Sequence, residues 1–431
     1  MFAILATFAC TMFIDPEPGP GVLAVVLTMS LARSHLDRDA HGHLESAVAL
    51  PLAALASIGV GALLQSSPII GAVAFMLGMA GSVYLRRFGP RGRRLGSLIA
   101  LPFVTILVVP YAPSTRFGAV GGVLVPVVVA LLGLLWVSLF LLLGRRVRLL
   151  PRAAPRQDPP SRKSTLRPSA STRMAVQLGA ALAVAFLVGY LFFPERWAWI
   201  VLTAFIVNSG NRGRGDVAYK SVLRVVGAGG GTLAALVIGT RFGDQDAITV
   251  ALILTAVFLG LWLRPLGYAW WALFVTIALA LLQGIERSAQ VSPTQFLGQR
   301  LEEIVIGAVI GVAAAWFVLP VRSIAVLRGR IGDALAALQA SLEPGATGHR
   351  FGFEMTRVRE VAPTFRMLRG SAPAFWLRTL DELEGPAMAH ITSGEGSAII
   401  RRAVGNARRS LREPSAVGPA LAELRDALQR A

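Results

Sequence analysis

Apolar residues along this chain come in blocks rather than in alternation. Twelve blocks can be read: 2–14, 21–31, 47–64, 68–85, 95–109 and 120–143, then 174–193, 198–207, 222–238, 248–263, 268–282 and 304–319. Most approach the roughly 20 residues that an α-helix needs to cross a hydrocarbon core of about 30 Å. Blocks 21–31 and 198–207 are too short for a regular crossing. They are expected to tilt, to borrow flanking residues or to stop half-way. Block 2–14 is short too, which leaves room for a start further upstream. It has no basic leader and no clear small-residue cleavage site, so a signal peptide is disfavoured.

Beyond 320 the pattern changes. Leu327, Ile331, Leu335, Leu338 and Leu342 recur at helical spacing, as do Leu421, Leu424 and Leu428 near the end. Pro344, Gly345, Gly370, Gly385, Pro386 and Gly394 punctuate the stretch between. Four or five amphipathic helices packed as a soluble bundle are expected there. The stretch from Arg145 to Arg173 is rich in Pro, Ser and Arg and has no apolar face, which reads as a flexible linker or as a basic strand held near anionic headgroups.

Composition agrees with the blocks. The chain has 431 residues, 54% hydrophobic and 15% charged, against about 25% charged in an ordinary soluble domain. The single cysteine, Cys10, excludes an intrachain disulfide, and His35, His41, His43, His349 and His390 show no zinc spacing. No metal and no cofactor is expected. No nucleophile–base pair stands out, so an enzyme is disfavoured.

Of 42 basic residues only Arg116, Arg196, Arg241, Arg287 and Arg300 fall on the odd-numbered connections; the other 37 lie on the even ones and in the tail. The positive-inside rule therefore places the even connections and both termini in the cytoplasm of a multi-pass inner or plasma membrane protein. The net charge of +18 reads as a topology signal and not as a nucleic-acid footprint.

The halves look alike. Residues 22–30 (VLAVVLTMS) lie on 200–208 (IVLTAFIVN), each followed by a basic connection and a further apolar block. Six blocks return the chain to its starting side, so two halves of equal orientation are expected. The expected fold is all-α and polytopic: a six-helix repeat at 1–144, a linker at 145–172, a parallel six-helix repeat at 173–320, and a cytoplasmic helical domain at 321–431.

Candidate chemistry gathers in 193–238. Asn208, Arg212 and Lys220 cluster with Arg214 and Asp216 ahead of Arg224, which opens an apolar helix. An arginine fork there could bind a carboxylate in two-pronged fashion, or it could snorkel to the headgroups. Gly227, Gly229, Gly230 and Gly231 follow. With no preceding strand and no GKS/T ending, close helix packing is preferred to a phosphate loop. Trp270 and Trp271, with Tyr268, could stack on an aromatic substrate or anchor at the interface. Glu302 and Glu303 are candidates for proton coupling, or simply a solvated helix start. Pro102 and Pro126 interrupt two blocks and Pro110 closes one; they read as helix breaks around a pathway or as ordinary kinks.

The stretch resembles the fusaric acid resistance protein-like family, which includes aromatic acid exporters and is distantly similar to aluminium-activated malate transporters. The features that carry the resemblance are Trp197 and Trp199, Leu202-Thr203-Ala204, the Gly/Arg turn from Gly210 to Gly215, Arg224 with Gly227, and RLEEIVIGAVIGVAAAWFVLP closing at Pro320. The resemblance implies export of organic or aromatic acid anions through a twelve-helix membrane domain. An organic-anion channel is the alternative within transport. A membrane scaffold, its tail binding an accessory protein or a second copy, is the alternative outside it. If this orientation is right, cysteines placed at Arg91 or Lys163 stay unlabelled by impermeant maleimide in intact cells; labelling from outside would overturn the topology.

Overall fold

The computed structural model describes all residues except 17, 36–39, 109–117, 148–169, 211–212, 243–245, 287–292, 344–347, 368–369, 394–397 and 431. Arg212, Pro110 and most of the linker thus lie outside the described residues. All regular structure among the described residues is helical.

The first half holds α1 (Phe2–Ile14), α2 (Pro18–His35), α3 (Ala40–Ser66), α4 (Pro68–Tyr84), α5 (Gly89–Val108) and α6 (Gly118–Arg146). The second half holds α7 (Ala170–Phe192), α8 (Trp197–Asn208), α9 (Arg214–Phe242), α10 (Asp246–Leu263), α11 (Tyr268–Glu286) and α12 (Pro293–Phe317). The tail holds α13 (Ser323–Ser341), α14 (His349–Arg359), α15 (Ala362–Arg366), α16 (Ala372–Ser393), α17 (Ala398–Ser410) and α18 (Pro414–Arg430).

Six of these carry stretches long and apolar enough to cross a membrane: Glu45–Ser66, Pro68–Phe88, Leu124–Arg146, Ser171–Phe192, Arg214–Gly239 and Ile248–Leu266. Four more apolar stretches are shorter: Phe2–Ile14, Gly19–Met29, Trp197–Asn208 and Tyr268–Leu282. The short block at 21–31 does borrow flanking residues, since α2 has 18. α8 does not: its 12 residues rise about 18 Å, well short of a hydrocarbon core. Pro102 and Pro126 sit inside continuous helices, so neither breaks its helix.

The chain divides into two compact units, residues 1–209 with 220–319, and residues 210–219 with 320–431. In the first, α4 and α7 join the two halves. Phe75 packs edge-on against Phe186 with ring centroids 5.7 Å apart, inside a core that includes Met79, Phe103, Leu178, Leu182 and Ile200. Within each half the same partners meet: α1, α2 and α6 pack together, as do α7, α8 and α12, and α4 packs on α5 as α10 does on α11. Apolar side chains also point outward, among them Leu52, Leu77, Leu142, Val237, Trp262 and Phe317. Such a face suits lipid better than water.

Two seams in the second half are backbone against backbone. On α9, a Cβ at Gly227 would lie 2.6 Å from the carbonyl oxygen of Ala269, and one at Gly231 would lie 2.4 Å from that of Leu273 on α11. On α12, a Cβ at Gly307 would lie 2.6 Å from the carbonyl oxygen of Ile200 on α8. Small residues four apart let helices approach this closely.

The second unit has an aqueous-type core. Leu327, Ile331, Leu335, Leu338 and Leu342 pack with Phe351, Trp376, Leu380, Leu421, Leu424 and Leu428. Six helices build it where four or five were expected, because a five-residue helix, α15, separates α14 from α16.

Gly231→Ala should lower the stability of the purified protein in detergent by about 1–3 kcal/mol, the cost of overpacking. Gly229→Ala, whose nearest neighbour is a leucine methyl at 3.7 Å, should be neutral or gain up to about 1 kcal/mol from helix propensity. Equal melting temperatures for the two variants would count against the α9–α11 seam.

Candidate functional site

The site grows out of the turn between α8 and α9. Asn208 ends α8, buried, with its Nδ2 donating to the Ala204 carbonyl at 3.0 Å. Its Oδ1 is buried without a protein partner. Gly311 of α12 lies against that amide, where a Cβ would come within 2.8 Å of Nδ2. Asn208 thus belongs to the α8–α12 seam.

The turn itself requires glycine. Gly210 has φ +62° and Gly213 φ +133°, and a Cβ at Gly213 would fall 2.9 Å from Cα of Ser323. The first amides of α9, which have no intrahelical acceptor, are met by the start of the tail. Arg214 N–H donates to the Val321 carbonyl at 3.0 Å, and Gly215 N–H donates to Oγ of Ser323 at 2.9 Å. Asp216 is buried in the same turn. This helix end is therefore already capped by protein.

Arg224 lies further along α9, only 3% exposed, and its Nε has no hydrogen-bond partner. Tyr268, at the start of α11, has a buried hydroxyl that is also without a partner. It lies within electrostatic reach of both Arg224 and Arg264. The Arg264 guanidinium lies 5.6 Å from the centroid of the Trp271 ring. Arg264 thus contacts Trp271, and the Tyr268 hydroxyl lies in the electrostatic field of both Arg224 and Arg264. A guanidinium buried this way is costly unless an anion meets it.

Other candidates fall elsewhere. Lys220 is half-buried one turn before Arg224. Trp270 is 46% exposed on the outside of α11. Tyr268 was expected among the aromatics that could stack on a substrate; Arg264 is an addition that the sequence alone did not single out. Its signal is the spacing Arg264–Tyr268 across Pro265 and Gly267, which lays one turn beside the next. A groove of about 420 Å³ between α9 and α12, lined by Val222, Val225, Val305, Val309 and Trp316 among others, is almost wholly apolar. It suits hydrocarbon and not an anion.

A second cluster forms where α8 begins. Glu303 is 3% exposed and sits 3.2 Å from Arg300 and 3.5 Å from Arg196. Arg196 also lies 3.8 Å from Glu302, whose side chain is 49% exposed. The Arg300 guanidinium stacks on Trp199, 3.2 Å from the ring centroid. Here two cations face two carboxylates. Protonating Glu303 would strip both arginines of a counter-charge, whereas Glu302 is open to water.

Residues 181–314, which contain both clusters, match the family described as fusaric acid resistance protein-like. The chain is similar to the p-hydroxybenzoic acid efflux pump subunit AaeB of Enterobacter cloacae, 33% identical over 182 residues that cover 39% of this chain and 27% of that protein. It is also similar to the subunit of that name from Citrobacter koseri, 32% identical over 154 residues (33% of this chain, 23% of that one). The subunit from Escherichia coli K12 is 32% identical over 156 residues, again 33% and 23%. The aligned region thus spans about a quarter of these curated relatives. No solved structure matches the chain.

Removing one member of a buried ion pair leaves the other charge uncompensated, at about 3–5 kcal/mol. Glu303→Ala should therefore lower thermal stability in detergent strongly. Glu302→Ala, which removes a half-exposed partner, should change it by at most about 1 kcal/mol. Comparable melting curves for the two would contradict the buried placement of Glu303.

Proposed function

Since the chain belongs, through residues 181–314, to the fusaric acid resistance protein-like family, we propose that it is a membrane efflux transporter for aromatic acid anions. The observation that carries this reading is Arg224: a buried guanidinium, with its Nε unpartnered, beside a tyrosine hydroxyl in the matched region. The relatives are named as efflux pump subunits for p-hydroxybenzoic acid, a carboxylate on one end of a ring and a hydroxyl on the other. The guanidinium fork complements the carboxylate. Tyr268 can exchange hydrogen bonds with a second polar group, and Trp271 under Arg264 offers a ring face.

The route follows from charge. With the arginine-rich connections and both termini in the cytoplasm, an anion meets Lys220, Arg212 and their neighbours first, which raises its local concentration. It then exchanges water for Arg224, with Asn208 at the adjoining seam. Trp270, facing outward, anchors the helix at the interface. Glu302, open to water beside the Arg196–Glu303–Arg300 network, is where an external proton would enter. Protonation there loosens the ion pairs and couples release to the proton gradient. The like pairing of helices in the two halves supports a pathway between duplicated six-helix bundles, twelve helices in all. Because the relatives are pump subunits, an accessory subunit or a second copy completes the assembly.

Arg224→Ala in proteoliposomes loaded with labelled p-hydroxybenzoate should slow efflux by about 10- to 100-fold, the worth of a charge-assisted hydrogen bond of about 1.5–3 kcal/mol. Arg224→Lys should recover part of the rate. Efflux by a folded Arg224→Ala protein at the wild-type rate would remove the residue from the mechanism. Unitary currents in a planar bilayer would replace the carrier with a channel.

A further inference from the structure

The second unit is electrically two-faced: ion pairs line one side, and on the other lies α17, a helix with no acid in its own sequence. Between 321 and 431 the chain has 16 basic and 11 acidic residues. Many of the acids are spent on the α14–α16 side: Glu354 pairs with Arg357, Glu384 with Arg359, Asp381 with Arg359 and Arg366, and Glu382 with Arg378 and Arg425.

α17 is built differently. Its sequence, AIIRRAVGNARRS, contains four arginines and no acid. Ile400, Ala403, Val404 and Ala407 form its buried stripe. At 100° per residue, Arg401, Arg402, Arg408 and Arg409 fall on the opposite side, with Arg412 continuing the line just beyond the helix. All five are exposed. Arg408 donates to the amide oxygen of Gln339 and Arg409 to that of Asn406, the latter at 2.6 Å, and Asn406 in turn donates its Nδ2 to Glu423 at 3.4 Å, so the arginines' direct partners are neutral and Glu423 borders the arc. In the middle of this arc Gly405 opens onto free space, with no atom within 4 Å of a built Cβ. At the edge of the arc Ile399 is 69% exposed.

We propose that this face of α17 docks on a bilayer of anionic phospholipid. The guanidinium groups of Arg402, Arg408, Arg409 and Arg412, spread over about 15 Å, match a plane of phosphate charge. Gly405 keeps the centre low enough for headgroups to approach, and Ile399 reaches the acyl boundary as the apolar flank of an interfacial helix does. The chain gives the face its opportunity: α12 ends at Phe317 and α13 begins at Ser323, so a short connection tethers the unit to an apolar helix.

The test uses the full chain with Cys10→Ser and a fluorophore on Ala398→Cys, exposed at the start of α17, reconstituted in nanodiscs whose headgroups carry a quencher. Lipid of one composition covers both faces of a nanodisc, so the result does not depend on topology or on transport. In discs containing phosphatidylglycerol the probe should be quenched, with the quenching reversed by salt; in pure phosphatidylcholine it should not be. Each basic residue near an anionic bilayer contributes about fivefold in affinity, so Arg402→Gln/Arg408→Gln/Arg409→Gln should abolish the difference. Arg350→Gln/Arg378→Gln/Arg430→Gln, which removes equal charge from other exposed positions, should keep it. Equal quenching in both lipids, an unchanged response in the α17 variant, or a response to added nucleic acid with none to lipid would each overturn the proposal.

Discussion

The close approach of helix backbones at glycine governs the rest of the membrane unit. Inside lipid there is no hydrophobic force to draw apolar helices together, because hydrocarbon surrounds them whether they associate or not. What remains is van der Waals contact, and it is largest where side chains do not intervene. Gly227 and Gly231 bring α9 onto α11, and Gly307 and Gly311 bring α12 onto α8. Each seam terminates in an arginine next to an aromatic ring: Arg224 beside Tyr268 on the first, and Arg300 over Trp199 on the second. A charged side chain held against a ring by rigid helices keeps its direction, and direction is what a carboxylate site requires.

The two ends differ in how their cations are balanced. Arg300 and Arg196 share Glu303, and Arg196 also reaches Glu302. That group is close to neutral in charge, although Arg196 Nη1 makes no hydrogen bond in it, and its paired charges make it a clasp more than a receptor. Arg224 and Arg264 have ring faces and a hydroxyl around them instead. An incoming anion gains little from the first group without displacing a carboxylate, and gains a guanidinium outright from the second. This contrast in charge and burial is what supports the proposed division of binding and gating between the two clusters.

Much of this was legible in the chain. Long apolar blocks become helices because the backbone must satisfy itself wherever water is absent, and the leucine stripe after 320 becomes the tail's core because its period is that of a helix. Arg224 stood out as an isolated charge at the head of an apolar run. The clasp did not, since Arg196 and Glu303 are distant in sequence and only the α8–α12 packing makes them neighbours. Glu303 and Glu302, adjacent and chemically identical, could not be told apart until one proved buried and the other half-exposed. The four-glycine run was read as packing, and that holds for Gly227 and Gly231, which meet the backbone of α11; Gly229 and Gly230 meet only leucine methyls. Pro102 and Pro126 were read as breaks or as ordinary kinks, and their helices run on through them, since a proline inside a helix bends it more often than it ends it.

The least expected link is between the tail and the helix that carries Arg224. α9 starts within the second unit and runs into the first. Its opening amides are held by the Val321 carbonyl and the Ser323 hydroxyl, in the role that a local N-cap side chain usually fills. The tail is therefore part of how α9 begins and not an appendage to a finished helix. Truncating the chain at 320 would take both caps away and leave amides bare at the turn before Lys220 and Arg224. Loss of transport in such a truncation would then speak to the start of α9 as much as to any partner of the tail. Separating a scaffold from a transporter calls for changes on α17 or α16 that leave Val321 and Ser323 in place.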